Sequence, residues 1–196
     1  MATLAELRSR LRFLLNDNAA DGYLWSDAAL DLYLNDALRD YSRTLPRRGE
    51  TMVTIVAGQS EYALPEDCLL VTRVEVAGAA EEGADGPGYL FLEGKLVLRP
   101  TPTASLSLVV RYLTPHTTLV ADGDRSTVPA ADEDLLLAFA GAEALEGLST
   151  EEAKRQRPEG REGRSAQNAA AILRRRYERD IRVRAAGIRA GRLSVS

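Results

Sequence analysis

The chain has 196 residues, 45% hydrophobic and 28% charged, so it can bury one substantial core and is not expected to be disordered. Its single cysteine and single histidine exclude an internal disulfide, a multi-cysteine zinc site and a paired-histidine metal site. The net charge of −4 hides an asymmetry, since residues 1–153 carry 12 basic and 25 acidic side chains and residues 154–196 carry 13 basic and 4 acidic ones. An acidic body followed by a basic tail is typical of an interaction protein rather than an enzyme.

A helical hairpin is predicted over residues 1–48. Thr3 and Glu6 have the spacing of a capping box, and leucines follow at helical intervals. Ser26 caps the second helix, and Trp25 precedes it as a staple for the entering chain. Four aspartates on this helix are predicted to form a solvated face: Asp27, Asp31, Asp36 and Asp40. No apolar leader segment is present and no stretch is long enough to cross a membrane, so the cell interior, or a particle assembled there, is the expected compartment.

An antiparallel β domain is predicted over residues 49–130. The candidate strands are short and rich in β-branched and aromatic residues: Thr51–Val56, Tyr62–Leu64, Leu69–Val76, Tyr89–Leu92, Lys95–Leu98 and Leu106–Leu113. Glu93-Gly94 is a two-residue hairpin signal, and residues 81–88 read as an exposed loop. Strands of this length and spacing favour a small sandwich or barrel.

The rest of the chain is predicted to be mainly helical. An almost entirely apolar core helix is predicted over residues 131–149, a flexible linker over 150–164, and an arginine-rich docking helix with a tail over 165–196. The whole is an α+β fold, in which a bundle of two N-terminal and two C-terminal helices is interrupted by the β domain.

Chemistry-bearing residues are sparse, and no catalytic, metal-binding or cofactor-binding residue is assigned. His116 is interpreted as a solvated loop residue and Cys68 as a small buried hydrophobe. Asp122-Gly123-Asp124 lacks the further ligands of a calcium loop and is interpreted as a turn. No phosphate-binding loop, dinucleotide fingerprint or nucleophile elbow is present.

The last helix is the one feature of the sequence that indicates binding to a partner. One stripe is apolar: Ala166, Ala170, Leu173, Tyr177, Ile181 and Ile188. Because a linker precedes it, this stripe is suited to a groove in another protein, and the candidate docking residues are Leu173, Arg174, Arg175, Arg176, Tyr177, Arg179, Ile181, Arg182 and Arg184. Two alternatives stay open: the stripe packs on the chain's own body, or the arginines bind phosphate.

Several segments in the first half of the chain resemble head–tail adaptor, or head-completion, proteins of tailed phages. They are Leu4-Ala5-Glu6-Leu7-Arg8, Trp25-Ser26-Asp27-Ala28-Ala29-Leu30, Tyr33-Leu34-Asn35-Asp36-Ala37 and the Gly58-Gln59 to Asp67 stretch with its Tyr62 and Leu64-Pro65. The resemblance covers residues 3–76 well and the remainder in layout, and none of these segments is catalytic.

The resemblance implies a homo-oligomeric ring, normally a dodecamer, in the virion neck beneath the portal. Copies assembled in the host cytoplasm would bind the portal and a tail or neck protein, and DNA would pass through the lumen with transient, non-specific contact. The runner-up functions are another neck or tail-completion protein and a nucleic-acid-binding regulator that uses the basic C-terminus.

Overall fold

The computed structural model describes residues 1–17, 22–78, 88–154 and 161–193. The chain divides into a helical unit, Met1–Leu45 with His116–Ser196, and a β unit, Pro46–Pro115. The described residues form four α-helices and two antiparallel sheets, which confirms the predicted α+β fold.

The helical unit contains α1 (Leu4–Leu15), α2 (Asp27–Thr44), α3 (Glu133–Lys154) and α4 (Arg161–Leu193), with a 3-10 turn at Ala130–Asp132 leading into α3. The capping box is confirmed, because Thr3 N donates to Glu6 Oε2 at 2.8 Å and Glu6 N donates to Thr3 Oγ1 at 3.2 Å. Ser26 Oγ accepts from Ala29 N at 3.2 Å and caps α2 as predicted. The helix starts are therefore set by local sequence.

The core of the helical unit is built around α3. The buried side chains that α1, α2 and α3 contribute to this cluster are Leu4, Leu7, Leu11, Leu30, Leu34, Ala37, Leu38, Tyr41, Leu135, Leu136, Leu137, Ala138, Ala140 and Ala144. Trp25, Leu45, Leu119, Val128, Tyr177 and Ile181 complete the same cluster. Because α3 has small or apolar side chains on most of its surface, it is covered on several sides by the other elements.

The β unit consists of two three-stranded antiparallel sheets. The strands are β1 (Arg47–Ile55), β2 (Glu61–Ala63), β3 (Leu70–Val76), β4 (Tyr89–Leu92), β5 (Lys95–Leu98) and β6 (Leu106–Thr114), in the orders β1-β6-β3 and β2-β5-β4. The predicted β4–β5 hairpin is confirmed, since Glu93 and Gly94 both have positive φ, 49° and 76°, as a type I′ turn requires. Buried side chains from both sheets form one cluster: Ile55, Tyr62, Leu64, Val71, Val74, Leu96, Leu98, Leu108 and Val110.

The main differences from the predicted bounds lie in the second half of the chain. The chain returns to the helical unit at His116 rather than at residue 131, because Leu119 and Val128 are buried in the helical core. Helix α3 continues to Lys154, and α4 already begins at Arg161. Part of the predicted linker is thus helical, while residues 155–160, most of the predicted 81–88 loop and the last three residues of the tail lie outside the described residues.

Candidate assembly surface

The apolar stripe of α4 packs within the chain's own helical unit. Ala166, Ala170, Tyr177 and Ile181 are buried, and Leu173 is half-buried. Sequence reasoning favoured a partner's groove for this stripe, and that interpretation is corrected: of the alternatives left open, packing on the chain's own body is the one observed. The physical reason is that α3 is apolar on most sides and needs a cover, which α4 supplies.

Gly141 allows two neighbours to approach α3 closely. A Cβ atom at this position would lie 3.1 Å from Leu173 Cδ1 of α4 and 3.2 Å from Leu14 Cδ2 of α1. A larger side chain would push these leucines away from α3. Close packing at this point therefore depends on a residue without a side chain.

Tyr177 anchors α4 through both its ring and its hydroxyl. The ring meets Phe139 of α3 edge to face, with centroids 5.0 Å apart at 74°. Its hydroxyl donates to Asp40 Oδ2 of α2 at 2.6 Å. Burial and the neighbouring carboxylate raise the pKa of Tyr177 well above its ordinary value, so the phenol stays a donor at physiological pH.

Replacing Tyr177 with phenylalanine is expected to lower the free energy of unfolding by about 1–3 kcal/mol, because the Asp40 carboxylate loses a donor in a partly buried site. Urea unfolding of the two proteins measures the difference. Tyr33→Phe is the matched control, since the Tyr33 hydroxyl makes no hydrogen bond with the residues that the structure describes. Equal losses in the two variants would show that the Asp40 bond does not stabilise α4.

Two arginines of the predicted docking set, half-buried Arg174 and exposed Arg184, pair with acidic residues of the chain's own helical unit. Arg174 pairs with Glu143 and, at 3.1 Å, with Glu146, and its guanidinium lies 4.5 Å from the centre of the Phe139 ring. Burial opposes the charge on Arg174, but hydrogen bonds to both glutamates outweigh burial and raise its pKa. Arg184 Nε lies 2.7 Å from Asp132 Oδ1, an ion-pair contact whose alignment falls short of a hydrogen bond.

The outward side of α4 is an arginine face. It consists of Arg175, Arg176, Arg179 and Arg182, with Ile172 and Val183, each 66% exposed, towards its two ends. Asp180 accepts from Arg179 Nε at 2.7 Å, while the Arg176–Asp180 and Arg182–Glu178 pairs are 3.9 Å apart. Arg175 has no ion pair with the part of the chain that the structure describes. Four guanidiniums thus face two carboxylates, and the arginine face keeps a positive excess.

The aspartates of α2 do not form one solvated face, because Asp31, Asp36 and Asp40 are half-buried and only Asp27 is exposed, and this interpretation is corrected. Arg8 of α1 binds Asp31 through Nε at 2.7 Å and Nη2 at 2.8 Å, and Arg12 Nη2 donates to Asp27 Oδ1 at 2.6 Å. Asp40 accepts a hydrogen bond from the Tyr177 hydroxyl, while Asp36 pairs with exposed Arg39. Asp27 and Asp31 lie on one side of α2 and Asp36 and Asp40 on roughly the opposite side, because each residue turns a helix by about 100°. Spacing alone could not show that α1 brings partners to the first pair and that α4 brings one to Asp40.

Asp27 and Asp31 form part of a larger group, the acidic corner, in which Asp17, Asp27, Asp31 and Asp122 pair with Arg8 and Arg12, and Asp124 belongs to the turn that carries Asp122. Arg8 also donates to Asp122 Oδ1 at 2.8 Å, and Arg12 also pairs with Asp17. The predicted turn at Asp122-Gly123-Asp124 is confirmed, because Asp124 Oδ2 accepts from the backbone nitrogens of Val120 and Ala121 at 2.7 and 2.8 Å.

His116 is buried, with 8% of its surface exposed, and its interpretation as a solvated loop residue is wrong. Its Nε2 lies 3.0 Å from the Leu45 carbonyl oxygen, its Nδ1 lies 3.0 Å from Thr127 Oγ1, and its ring packs edge-on against Tyr41. With both nitrogens occupied, His116 is a structural link between the end of α2 and the segment that follows β6.

No site for metal or small-molecule chemistry is assigned to the described residues. In the ranges that the structure covers, no three histidine, cysteine or acidic side chains are grouped as metal ligands. Cys68 is partly buried against the β core, and burial, with the charge of Asp67, raises the pKa of its thiol, which disfavours the reactive thiolate. Among the described residues, no helix is long and apolar enough to cross a membrane.

The α+β fold agrees with the class that the sequence resemblance predicted, a head–tail adaptor of a tailed phage. The chain belongs to the SU10 adaptor protein family, whose family model matches residues 2–193. A search of curated proteins finds no match. The protein is therefore a phage adaptor that interacts with other head and tail proteins, a kind of protein that is not typically enzymatic.

Proposed function

We propose that this adaptor forms a ring in the virion neck, beneath the portal, where it joins the capsid to the tail and extends the DNA channel. The single observation that carries the proposal is membership of the SU10 adaptor protein family over nearly the whole chain. The copy number follows the sequence resemblance and is twelve. Portal protein and a tail or neck protein are the partners on its two sides.

The charge distribution supports a passive conduit. Residues 1–153 carry 25 acidic and 12 basic side chains, and an acidic wall repels the phosphates of passing DNA within a Debye length of about 8 Å. Contact with DNA in the lumen is then transient and non-specific. The protein binds its neighbours and seals the wall of the channel against leakage.

The arginine face of α4 is the docking surface in this proposal. Of the predicted docking residues, Tyr177 and Ile181 are buried and Leu173 and Arg174 are largely engaged within the chain, so the exposed arginines are the ones available for a partner. A positive surface with apolar ends suits an acidic protein surface. In the neck, both the portal and a neighbouring copy of the adaptor are candidates.

The proposal is tested by mixing the full-length chain with its portal. Native mass spectrometry is expected to show a fixed number of copies per portal ring, and cryo-EM is expected to show an adaptor ring stacked on the portal with an open lumen. A chain that leaves the portal unbound but joins an isolated tail protein would transfer the function to a tail-completion protein.

A nucleic-acid-binding regulator is the second candidate, and the arginines of α4 are the observation that favours it. Glu178 and Asp180 lie among those arginines and oppose phosphate binding. Titration of duplex DNA at increasing salt separates the two functions. The adaptor proposal expects weak binding without sequence preference, whereas tight and specific binding at about 0.15 M salt would favour the regulator.

A further inference from the structure

We propose that the arginine face of α4 docks on the acidic corner of the neighbouring copy of this chain. The contact joins two different surfaces of the same protein, so each copy binds one neighbour through each surface. Repeating this contact from copy to copy closes a ring. This inference rests on the proposed ring and names the partner of its docking surface. The alternative partner, the portal, is an outcome of the test.

The first argument is the sign and exposure of the acidic corner. Arg8 and Arg12 lie beneath the carboxylates, with only 13% and 11% of their side chains exposed, whereas Asp122 is 72% exposed and Asp27 is 62% exposed. Asp17 is itself buried, but the exposed carboxylates of Asp27 and Asp122 lie over two largely covered guanidiniums, so the surface offered to a partner is negative. Hydrogen bonds lower the pKa of Asp27, chiefly from Arg12, and of Asp124, from the backbone of the turn.

The second argument is that each surface carries an exposed apolar group beside its charges. Val120 is 82% exposed and belongs to the turn that Asp124 caps in the acidic corner. On α4, Ile172 and Val183 flank the four arginines. Charges steer and align an encounter, and burial of apolar side chains between them slows dissociation, so this combination suits a protein contact better than a nucleic-acid contact.

The third argument is that the two surfaces do not neutralise each other within one chain. The described ion pairs of Arg176, Arg179 and Arg182 are all made within α4, and those of Arg8 and Arg12 are made with the acidic corner. A single copy therefore keeps a positive and a negative surface at once. A second copy is the partner that supplies both complements in equal number.

The test uses two full-length variants, each with one surface disabled. Arg175→Glu with Arg179→Glu reverses the arginine face, and Val120→Arg with Asp122→Asn places positive charge in the acidic corner. All four side chains are largely exposed, so folding is expected to persist, and circular dichroism melting checks it. Arg48→Glu, at an exposed arginine of the β unit, is the matched charge-reversal control.

Sedimentation velocity and native mass spectrometry give the readout. We expect the wild-type chain and the Arg48→Glu control to form oligomers at about 0.05 M salt, and the dissociation constant to rise at least about tenfold at about 0.5 M salt. Each double variant alone is expected to stay monomeric. An equimolar mixture of the two is expected to form dimers and stop there, because each variant retains only one working surface.

Three outcomes would overturn the contact. They are a wild-type chain that is monomeric at both salt concentrations, an arginine-face variant that assembles like the wild type, and a mixture without dimers. If the arginine-face variant assembles normally but no longer sediments with portal, the arginine face belongs to the portal and the proposed ring stands. If neither the wild type nor any variant forms a ring even on the portal, the proposed function falls as well.

Discussion

A chain that ends at Leu148 is expected to lose the cooperative unfolding of its helical unit. The truncation removes Tyr177 and Ile181 from the core, and each buried side chain of this size contributes about 1.5–3 kcal/mol. It also uncovers the side of α3 that packs on α4. Because a domain of this kind has a total stability of only about 5–15 kcal/mol, losing a whole covering helix is expected to leave the helical unit partly unfolded and prone to aggregate.

If α4 were only a docking helix, such a chain would fold and lose only its docking function. Near-UV circular dichroism and thermal unfolding decide between the two. The control is the full-length chain with Arg175→Gln and Arg182→Gln, which removes charge from α4 and keeps its buried side. A truncated chain that melts at the temperature of the control would show that α4 adds nothing to the core.

Trp25→Ala is expected to lower the free energy of unfolding by about 3–5 kcal/mol, the cost typical of removing a large buried aromatic side chain. Trp25 belongs to the helical core, and its carbonyl oxygen accepts from Arg12 Nη2 at 3.0 Å. The substitution keeps that backbone contact and removes the side chain, so the loss reports on packing at the start of α2.

Phe13→Ala is the control for this prediction, since Phe13 is the same kind of residue but is 90% exposed. Its effect on the free energy of unfolding is expected to stay within about 0.5 kcal/mol. Equilibrium unfolding in urea measures both variants. A Trp25→Ala protein as stable as the Phe13→Ala protein would place the tryptophan at a contact with another protein rather than in the core.

Features encoded by neighbouring residues were predicted correctly from the sequence. The Thr3–Glu6 box and the Glu93-Gly94 turn each depend on hydrogen bonds or dihedral angles within a few residues, and the bounds of β4 and β5 were predicted to the residue. These features depend only on residues that are close in sequence, so they can be recognised without the tertiary fold.

Features that depend on distant partners were not predicted. Asp40 and Tyr177 are 137 positions apart, and Arg8 and Asp122 are 114 apart. The same apolar periodicity in α4 is compatible with a groove in another protein and with the chain's own α3, so the pattern alone could not place Tyr177. The role of a buried charge or histidine can be assigned only when its partner in the folded chain is known, as with His116 and Leu45.

The contact between His116 Nε2 and the Leu45 carbonyl oxygen bears on which insertions and deletions the protein can accommodate. Leu45 is the last residue before the β unit and His116 is the first one after it, so the chain leaves and re-enters the helical unit at a single closed point. The entropy of closing an inserted segment grows only slowly with its length. The β unit can therefore be lengthened, shortened or exchanged as a cassette, which gives such a protein a means of meeting new neighbours while its helical frame stays constant.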